Sequence, residues 1–219
     1  CITTDKCYEN NEYGNRFTES DPMGGKDPYS ASKACTEILT KSYALSFNGL
    51  KLCTARAGNI LGGGDWAKDR IVTDIVESIQ KKEDIVIRSP MAIRPWQHVI
   101  DVVNGYLKLG IYNQEKEKVF ESFNFGPLEE NEITVEILTQ KFISNWNSCN
   151  SKIILDENEN LPESKTLRLD STKAKKILNW EPLMDIDTTI KETAFWYEKF
   201  YSKKDIYDFT IKQINKYLN

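Results

Sequence analysis

Short β-type runs alternate with helix-length segments along this chain, and that alternation restricts its fold more than any other feature. Strands separated by helices pair in parallel, so the pattern predicts an α/β architecture built on a parallel sheet. Cys1-Ile2 reads as the end of an apolar strand, and a polar, turn-rich loop follows over 3–25. Asp27-Pro28 opens a helix over about 29–45, with Asp as N-cap and Pro in the first turn. A strand is expected over 51–57, a glycine-rich loop over 58–65, a helix over about 70–80 and a β-type run over 85–87. Residues 96–100 read as extended, with Asp101 capping a helix to about Tyr112. Residues 120–125 alternate as a strand, and Thr134 caps a helix over about 135–146, stapled by Ile133 and Leu138. Short strands are expected over 152–155 and 166–169, and Ser171 caps a short helix ending near Asn179. Two amphipathic helices complete the pattern, over about 188–201 and 204–218.

Composition narrows the function classes. With 219 residues there is room for one large domain or one and a half, and 40% hydrophobic residues suffice for a true core. A net charge of −4 with no basic stripe argues against a nucleic-acid partner. No apolar run approaches the roughly 18 residues of a membrane span, and the opening CITTDKCYEN lacks the layout of a signal peptide. Five cysteines (Cys1, Cys7, Cys35, Cys53, Cys149) are odd in number and scattered, which suits a reducing cytoplasm better than a disulfide framework. With one His and dispersed Cys there is no metal-ligand spacing, so no metal is expected. The chain starts without Met and in what reads as a strand end, which points to a fragment of a longer polypeptide.

The residues able to do chemistry form two groups. Tyr29 and Lys33, four apart at the start of the expected helix, share one face, so the ammonium can sit beside the phenol. A phenol with an ordinary pKa of about 10 is a poor base at neutral pH, and a close cation favours the phenolate. Taken alone, a Y-x-x-x-K match is more often an ordinary surface pair. Thr4-Asp5-Lys6 stands at the end of a strand, and in an open α/β sheet ligands bind beyond the carboxyl ends of strands. A hydroxyl, a carboxyl and an amine beside a tyrosinate can hold a substrate oxygen, donate one proton and remove another. By itself the triplet suits a plain turn with Asp as its Asx residue.

The order of several motifs tips the balance. Thr3-Thr4-Asp5-Lys6-Cys7-Tyr8, Tyr29-x-x-x-Lys33, Arg56-Ala57-Gly58-Asn59, Gly62-Gly63-Gly64-Asp65-Trp66 and the run IRPWQHVID from Ile93 to Asp101 together resemble the extended short-chain dehydrogenase/reductase family of sugar-nucleotide enzymes. The likeness runs from Cys1 to about Pro182, and within the family it leans to the 4,6-dehydratases of CDP-glucose.

This resemblance implies the C-terminal part of a Rossmann-type parallel sheet domain plus a smaller α/β domain for the sugar nucleotide. It assigns 1–57 and about 84–125 to the first, and 58–83 and about 126–219 to the second. It implies NAD as cofactor, a small-molecule nucleotide sugar as substrate, no nucleic-acid or membrane partner, and a homodimer. The implied reaction is a redox-neutral elimination. Tyr29, assisted by Lys33, takes the O4 proton while C4 is oxidised; the C5 proton and the C6 hydroxyl leave; C6 is then reduced. Asp5 is the implied acid at C6, Thr4 holds the sugar oxygen, and Thr4, Tyr29 and Lys33 also face the cofactor. Lys6 departs from thymidine-linked relatives, which carry Glu there as the C5 base; it is either a base of lowered pKa or an electrostatic holder of the enolate oxygen. By motif, Asn59, Arg70, Arg94, Asn124 and Arg168 are implied contacts to the sugar nucleotide, the arginines suiting its pyrophosphate. His98 is expected to be structural or at a nucleotide edge, and Trp66 and Trp96 to be core or lid residues.

The family's G-x-x-G-x-x-G fingerprint, which cradles the NAD pyrophosphate at a helix N-terminus, is absent. The chain by itself is therefore expected to bind NAD poorly and to be inactive. Two other readings stay open. One is another sugar-nucleotide enzyme, a UDP-linked dehydratase or a 4-epimerase, the latter disfavoured by Asp5-Lys6. The other is a non-catalytic remnant that binds a nucleotide diphosphate, or a partner through an exposed sheet edge.

Overall fold

The computed structural model describes residues 1–11, 14–115, 119–128, 132–147, 149–156 and 166–218. The chain opens with β1 (Ile2–Thr4), a 3-10 turn (Asp5–Cys7), α1 (Pro28–Ser46), β2 (Leu52–Ala57), β3 (Ile60–Leu61), α2 (Ile71–Lys81), β4 (Ile85–Ile87), β5 (Ile93–Pro95) and β6 (Gln97–His98). It continues through α3 (Val99–Glu115), β7 (Phe120–Phe125), β8 (Glu132–Thr134), α4 (Val135–Ser144), β9 (Ile153–Leu155), α5 (Thr172–Leu178), α6 (Ile186–Tyr201) and α7 (Ile206–Leu218).

β2 is the centre of a three-stranded parallel sheet, flanked by β1 and β7. Each parallel step needs a crossover, and helices supply it: α1 between β1 and β2, α3 on the way from β2 to β7. Thr4 pairs with Ala57, and Ala57 with Phe125, so the carboxyl ends of all three strands finish at one level. This is the α/β class that the alternation predicts. Three small pairings lie outside that sheet: β3 with β6 and β4 with β9, both parallel, and β5 with β8, antiparallel.

Local chemistry explains the helix that matters most to the site. Asp27 caps α1, accepting from Ser30 N at 2.9 Å, and Pro28 fills a first-turn position that needs no amide donor. The helix turns Ser30, Ala34, Glu37 and Ala44 inward.

Among the described residues, two larger apolar clusters hold most of the elements. One joins β2, β7, α3 and α5 through Ala55, Val102, Leu109, Phe123, Phe125 and Trp180. Here Gly105 allows α3 to approach closely, since a Cβ would lie 2.6 Å from the Phe125 ring and 2.9 Å from Trp180 Nε1. The other joins α2, β4, α4 and α6 through Ile75, Ile85, Ile87, Leu138, Phe142 and Ile190. The run 85–87 pairs with β9 and sinks into this second cluster.

Several local expectations are corrected. Asp101 does not cap α3; it lies in the first turn, and its carboxylate accepts from Leu183 N at 2.8 Å and Met184 N at 3.3 Å. Ser171 precedes α5 without a side-chain capping bond, because its Oγ accepts from Gly126 N at 2.7 Å. Residues 166–169 make isolated bridges, Ile93 to Thr166 and Phe17 to Leu169, and no strand. α6 starts at Ile186, earlier than expected, because Asp185 caps it by accepting from Thr188 N at 2.7 Å.

Candidate active site

β1 delivers the polar triplet to the carboxyl end of the sheet. Thr4 caps the 3-10 turn, its Oγ1 accepting from Lys6 N at 3.4 Å and donating to Asp5 Oδ1 at 2.9 Å. Asp5 is 2% exposed, and its Oδ2 has no hydrogen-bond partner among the described residues. Burial pushes its pKa up to about 6, against the pull of the Thr4 hydroxyl and the charges of Lys6 and Arg94. A carboxyl of this kind is half protonated near pH 6 and keeps its proton in about a tenth of the molecules at neutrality, far more than an ordinary carboxylate and enough to serve as a general acid.

The turn rests on α1. Cys7 and Tyr8 pack with Ala34 of that helix. The segment leading into α1 lies hard against its first turn, since a Cβ on Gly25 would fall 2.3 Å from Ala31 N. Lys33 places its ammonium 5.7 Å from the Tyr29 ring centroid, and Tyr29 is 51% exposed, open to a ligand. Lys6 is half-buried. Asp27 at the start of α1 is held below the usual carboxylate range, chiefly by its bonds from Ser30, with the charge of Lys6 adding to the effect. The turn that carries the triplet therefore packs on the start of α1, the helix that bears Tyr29 and Lys33.

A third segment crosses the same end of the sheet. Gly58 follows β2 and packs on Pro95, whose Cγ would lie 2.3 Å from a Cβ there. Asn59 O accepts from Gln97 N at 3.1 Å, and Gln97 Nε2 donates to Phe125 O at 2.7 Å. Arg94 is buried, donates from Nη1 to Ile93 O at 3.0 Å, and its charge reaches Asp5. Asn59 and Arg94 thus lie on the segments that cross the carboxyl ends of the sheet.

Arg70 precedes α2 as its exposed N-cap residue. Two expected contacts are spent inside the fold. Asn124 is wholly buried: its Oδ1 accepts from Tyr8 OH at 2.6 Å, and its Nδ2 donates to Phe17 O at 2.8 Å and Asp170 O at 3.2 Å. Arg168 lies 2.7 Å from Glu132 and donates to Gly14 O at 3.2 Å, while Arg16 takes the other Glu132 oxygen at 2.7 Å. In this structure both side chains tie loops together. His98 is structural; its Nδ1 accepts from Ile100 N at 3.2 Å, and burial lowers its pKa to about 4. Trp96 is core, with Nε1 donating to Ile133 O at 3.3 Å. Trp66 is 46% exposed and nests among Trp196, Tyr197, Phe200 and Tyr201 of α6.

Sequence reasoning missed a buried polar layer beneath the turn, formed by Tyr8, Glu37, Arg56 and Ser122. One signal for it was available. Arg56 sits inside a β-type run, and a cation in a strand covered on both faces must find a buried partner.

Among the described residues, no group of His, Cys, Asp and Glu is placed to hold a metal ion, and no helix is long and apolar enough to cross a membrane.

A family profile described as GDP-mannose 4,6 dehydratase matches residues 1–193. CDP-glucose 4,6-dehydratase of Salmonella typhimurium is 37% identical over 229 aligned positions, covering 100% of this chain and 63% of that protein. dTDP-glucose 4,6-dehydratase of Streptomyces griseus is 25% identical, covering 92% and 58%. The chain therefore spans about three fifths of the length of these curated relatives. Among solved structures, dTDP-glucose 4,6-dehydratase from Bacillus anthracis in complex with NAD superposes with a TM-score of 0.75 at 20% identity, covering 93% of this chain and 62% of that one. UDP-glucose 4-epimerase of Thermotoga maritima with UDP-glucose gives 0.75 at 22%, covering 91% and 63%. At such identities the likeness establishes a shared Rossmann-type fold.

Proposed function

Because the chain belongs to the GDP-mannose 4,6 dehydratase family, we propose that it serves the NAD-dependent dehydration of CDP-glucose to CDP-4-keto-6-deoxyglucose. One observation carries this reading: the turn bearing Thr4, Asp5 and Lys6 packs on the start of the helix bearing Tyr29 and Lys33. The choice of CDP-glucose is supported by 37% identity over the whole chain to a CDP-glucose dehydratase.

In this reading Tyr29 accepts the O4 proton, with the Lys33 ammonium 5.7 Å from its ring centroid. Thr4 holds the sugar oxygen. Asp5, protonated, gives its proton to the departing C6 hydroxyl, so that water leaves and the carboxylate remains. Lys6 takes the C5 proton and gives it back to C5 as C6 is reduced, or holds the enolate oxygen while another group moves that proton both ways. Asn59, Arg70 and Arg94 grip the sugar nucleotide, the arginines on its diphosphate.

NAD fits one half of its expected surroundings here. Thr4, exposed Tyr29 and Lys33 would border its nicotinamide ribose, while no G-x-x-G-x-x-G loop for its pyrophosphate is present in these 219 residues. The chemistry NAD supplies when bound is a reversible two-electron store, filled from C4 and emptied at C6.

The sheet β1–β2–β7 with α1, α3 and α5 then forms the dinucleotide side, and the cluster of α2, β4, α4 and α6 the sugar-nucleotide side. Ile38 and Leu45, exposed seven residues apart on α1, support a homodimer through that helix. The free cysteines among the described residues support a reducing, cytoplasmic setting.

The test is to supply NAD with CDP-, UDP- or dTDP-glucose to a longer polypeptide that joins this chain to the G-x-x-G-x-x-G loop, and to assay for a keto sugar absorbing in strong alkali. Turnover of CDP-glucose above the others is the expected result for the dehydratase. A 4-epimerised sugar without a keto product refutes it, and tight CDP binding without NAD binding favours a non-catalytic binding module.

A further inference from the structure

The turn that carries Asp5 is held at both shoulders by one buried ion pair. Before the turn, Thr3 Oγ1 donates to Glu37 Oε1 on α1. After it, Tyr8 OH accepts from Arg56 Nη1 at 2.8 Å and donates to Asn124 Oδ1 at 2.6 Å. Glu37 and Arg56 are themselves joined, Oε2 to Nη2 at 2.8 Å, with side chains 2% and 3% exposed. Ser122 Oγ accepts from the same Nη2 at 3.0 Å, and Phe17 stacks on the Tyr8 ring at 4.8 Å. Asp5 itself has little to orient it, since Oδ1 bonds to the Thr4 hydroxyl and Oδ2 has no partner among the described residues. Its direction is set by the backbone of the turn.

We propose that Thr3 and Tyr8 are positioning residues, which pin the turn to the Glu37–Arg56 pair and so keep the Asp5 carboxyl dry and in one orientation. The proposal deepens the dehydratase reading, in which Asp5 is the acid, but its first test does not depend on that reading.

Removing Glu37 or Arg56 outright would strand a buried charge and threaten the fold. Two gentler substitutions remove one hydroxyl each: Tyr8→Phe keeps the ring stack, and Thr3→Val keeps the shape. The charges that reach Asp5 are Lys6 on its own turn and Arg94 on β5. From the layer beneath, Arg56 and Glu37 act on the adjacent Cys7. Neither substitution deletes any of these charges, so a change in Asp5 titration reports its hydration and orientation.

The experiment is a carboxyl-carbon NMR titration of Asp5, assigned by loss of its signal in Asp5→Asn. Trp180→Phe is the control, because it breaks a buried bond to Asp101 O, 2.9 Å long, in the α3–α5 cluster. The native chain and the control should titrate near the same point, about 6. Tyr8→Phe and Thr3→Val should fall by about one unit toward the ordinary carboxylate value. In a longer polypeptide that joins this chain to the G-x-x-G-x-x-G loop, supplied with NAD and CDP-glucose, the same change cuts the protonated fraction of Asp5 at neutral pH about tenfold. The expected signature is an equal loss in kcat, an unchanged KM for the sugar nucleotide, and an alkaline limb of the kcat profile moved down by the same unit. Unchanged midpoints in both variants overturn the proposal. So does an equal shift in the control, or the failure of both variants to fold, since the bonds are then only structural. A shifted midpoint without turnover in any form of the longer polypeptide sustains the positioning role and removes the dehydratase reading instead.

Discussion

Asp5→Asn separates the charge of the buried carboxyl from its shape. The carboxyl is 2% exposed, and burial holds its pKa at about 6 against an ordinary 3.8. The folded value is raised, so the folded chain keeps its proton where the unfolded chain has already lost it. The resulting cost to stability is absent below the unfolded pKa, grows as pH rises, and is complete above the folded one. A shift of roughly two units amounts to about 3 kcal/mol in full, of which about 2 kcal/mol accrues between about pH 4.5 and pH 7. The amide has the same size and no such cost. Its new N–H donor needs a partner, but that penalty does not depend on pH. The variant should therefore gain about 2 kcal/mol relative to the native chain across that interval, whatever its absolute stability. Urea unfolding followed by tryptophan fluorescence at the two pH values measures this. Curves that stay parallel, offset by a constant, would falsify the claim that a proton-holding carboxyl is buried at the end of β1.

Three further outcomes are expected. Gly105→Ala places a methyl 2.6 Å from the Phe125 ring and should cost about 1–3 kcal/mol, read as a lower urea midpoint at unchanged slope. Glu192 on α6 accepts from Gln213 at 2.9 Å, Lys216 at 2.7 Å and Tyr217 at 2.9 Å, and these bonds outweigh burial to lower its pKa. Glu192→Gln should loosen α7 by about 1–2 kcal/mol, raising hydrogen exchange there about 5–30-fold; the native chain should lose the same protection as pH falls through the depressed carboxylate pKa. Lys6→Met should abolish solvent exchange at C5 of the sugar, and if exchange persists with only slightly slower turnover, Lys6 is not the base.

What local pattern can carry, it carried here. Asp27-Pro28 marks the start of α1 because a cap and a first-turn proline act within four residues of one another. Tyr29 and Lys33 meet because helical spacing brings them together. Asp101 was misread for the opposite reason: its partners at Leu183 and Met184 lie 82 and 83 residues away, beyond any capping pattern. The apolar alternation of residues 166–169 suits a strand, but the segment finds only single bridging partners. For Asn124 and Arg168 a motif suggested a role and tertiary contacts took the side chains first, through Tyr8 and Glu132. Glu37 was passed over because a carboxylate on a helix is usually solvated, and only the fold reveals Arg56 opposite it.

The nest of rings around Trp66 gives the molecule an optical gauge of its own. Trp66 and Trp196 stand 6.4 Å apart at 55°, close and oblique enough for their indole transitions to mix into a paired circular-dichroism band. One indole belongs to the segment that runs on to Arg70 and the other to α6, so their signal tracks the separation of the two. Any change in that separation can be followed in unlabelled protein, with Trp66→Phe as the blank.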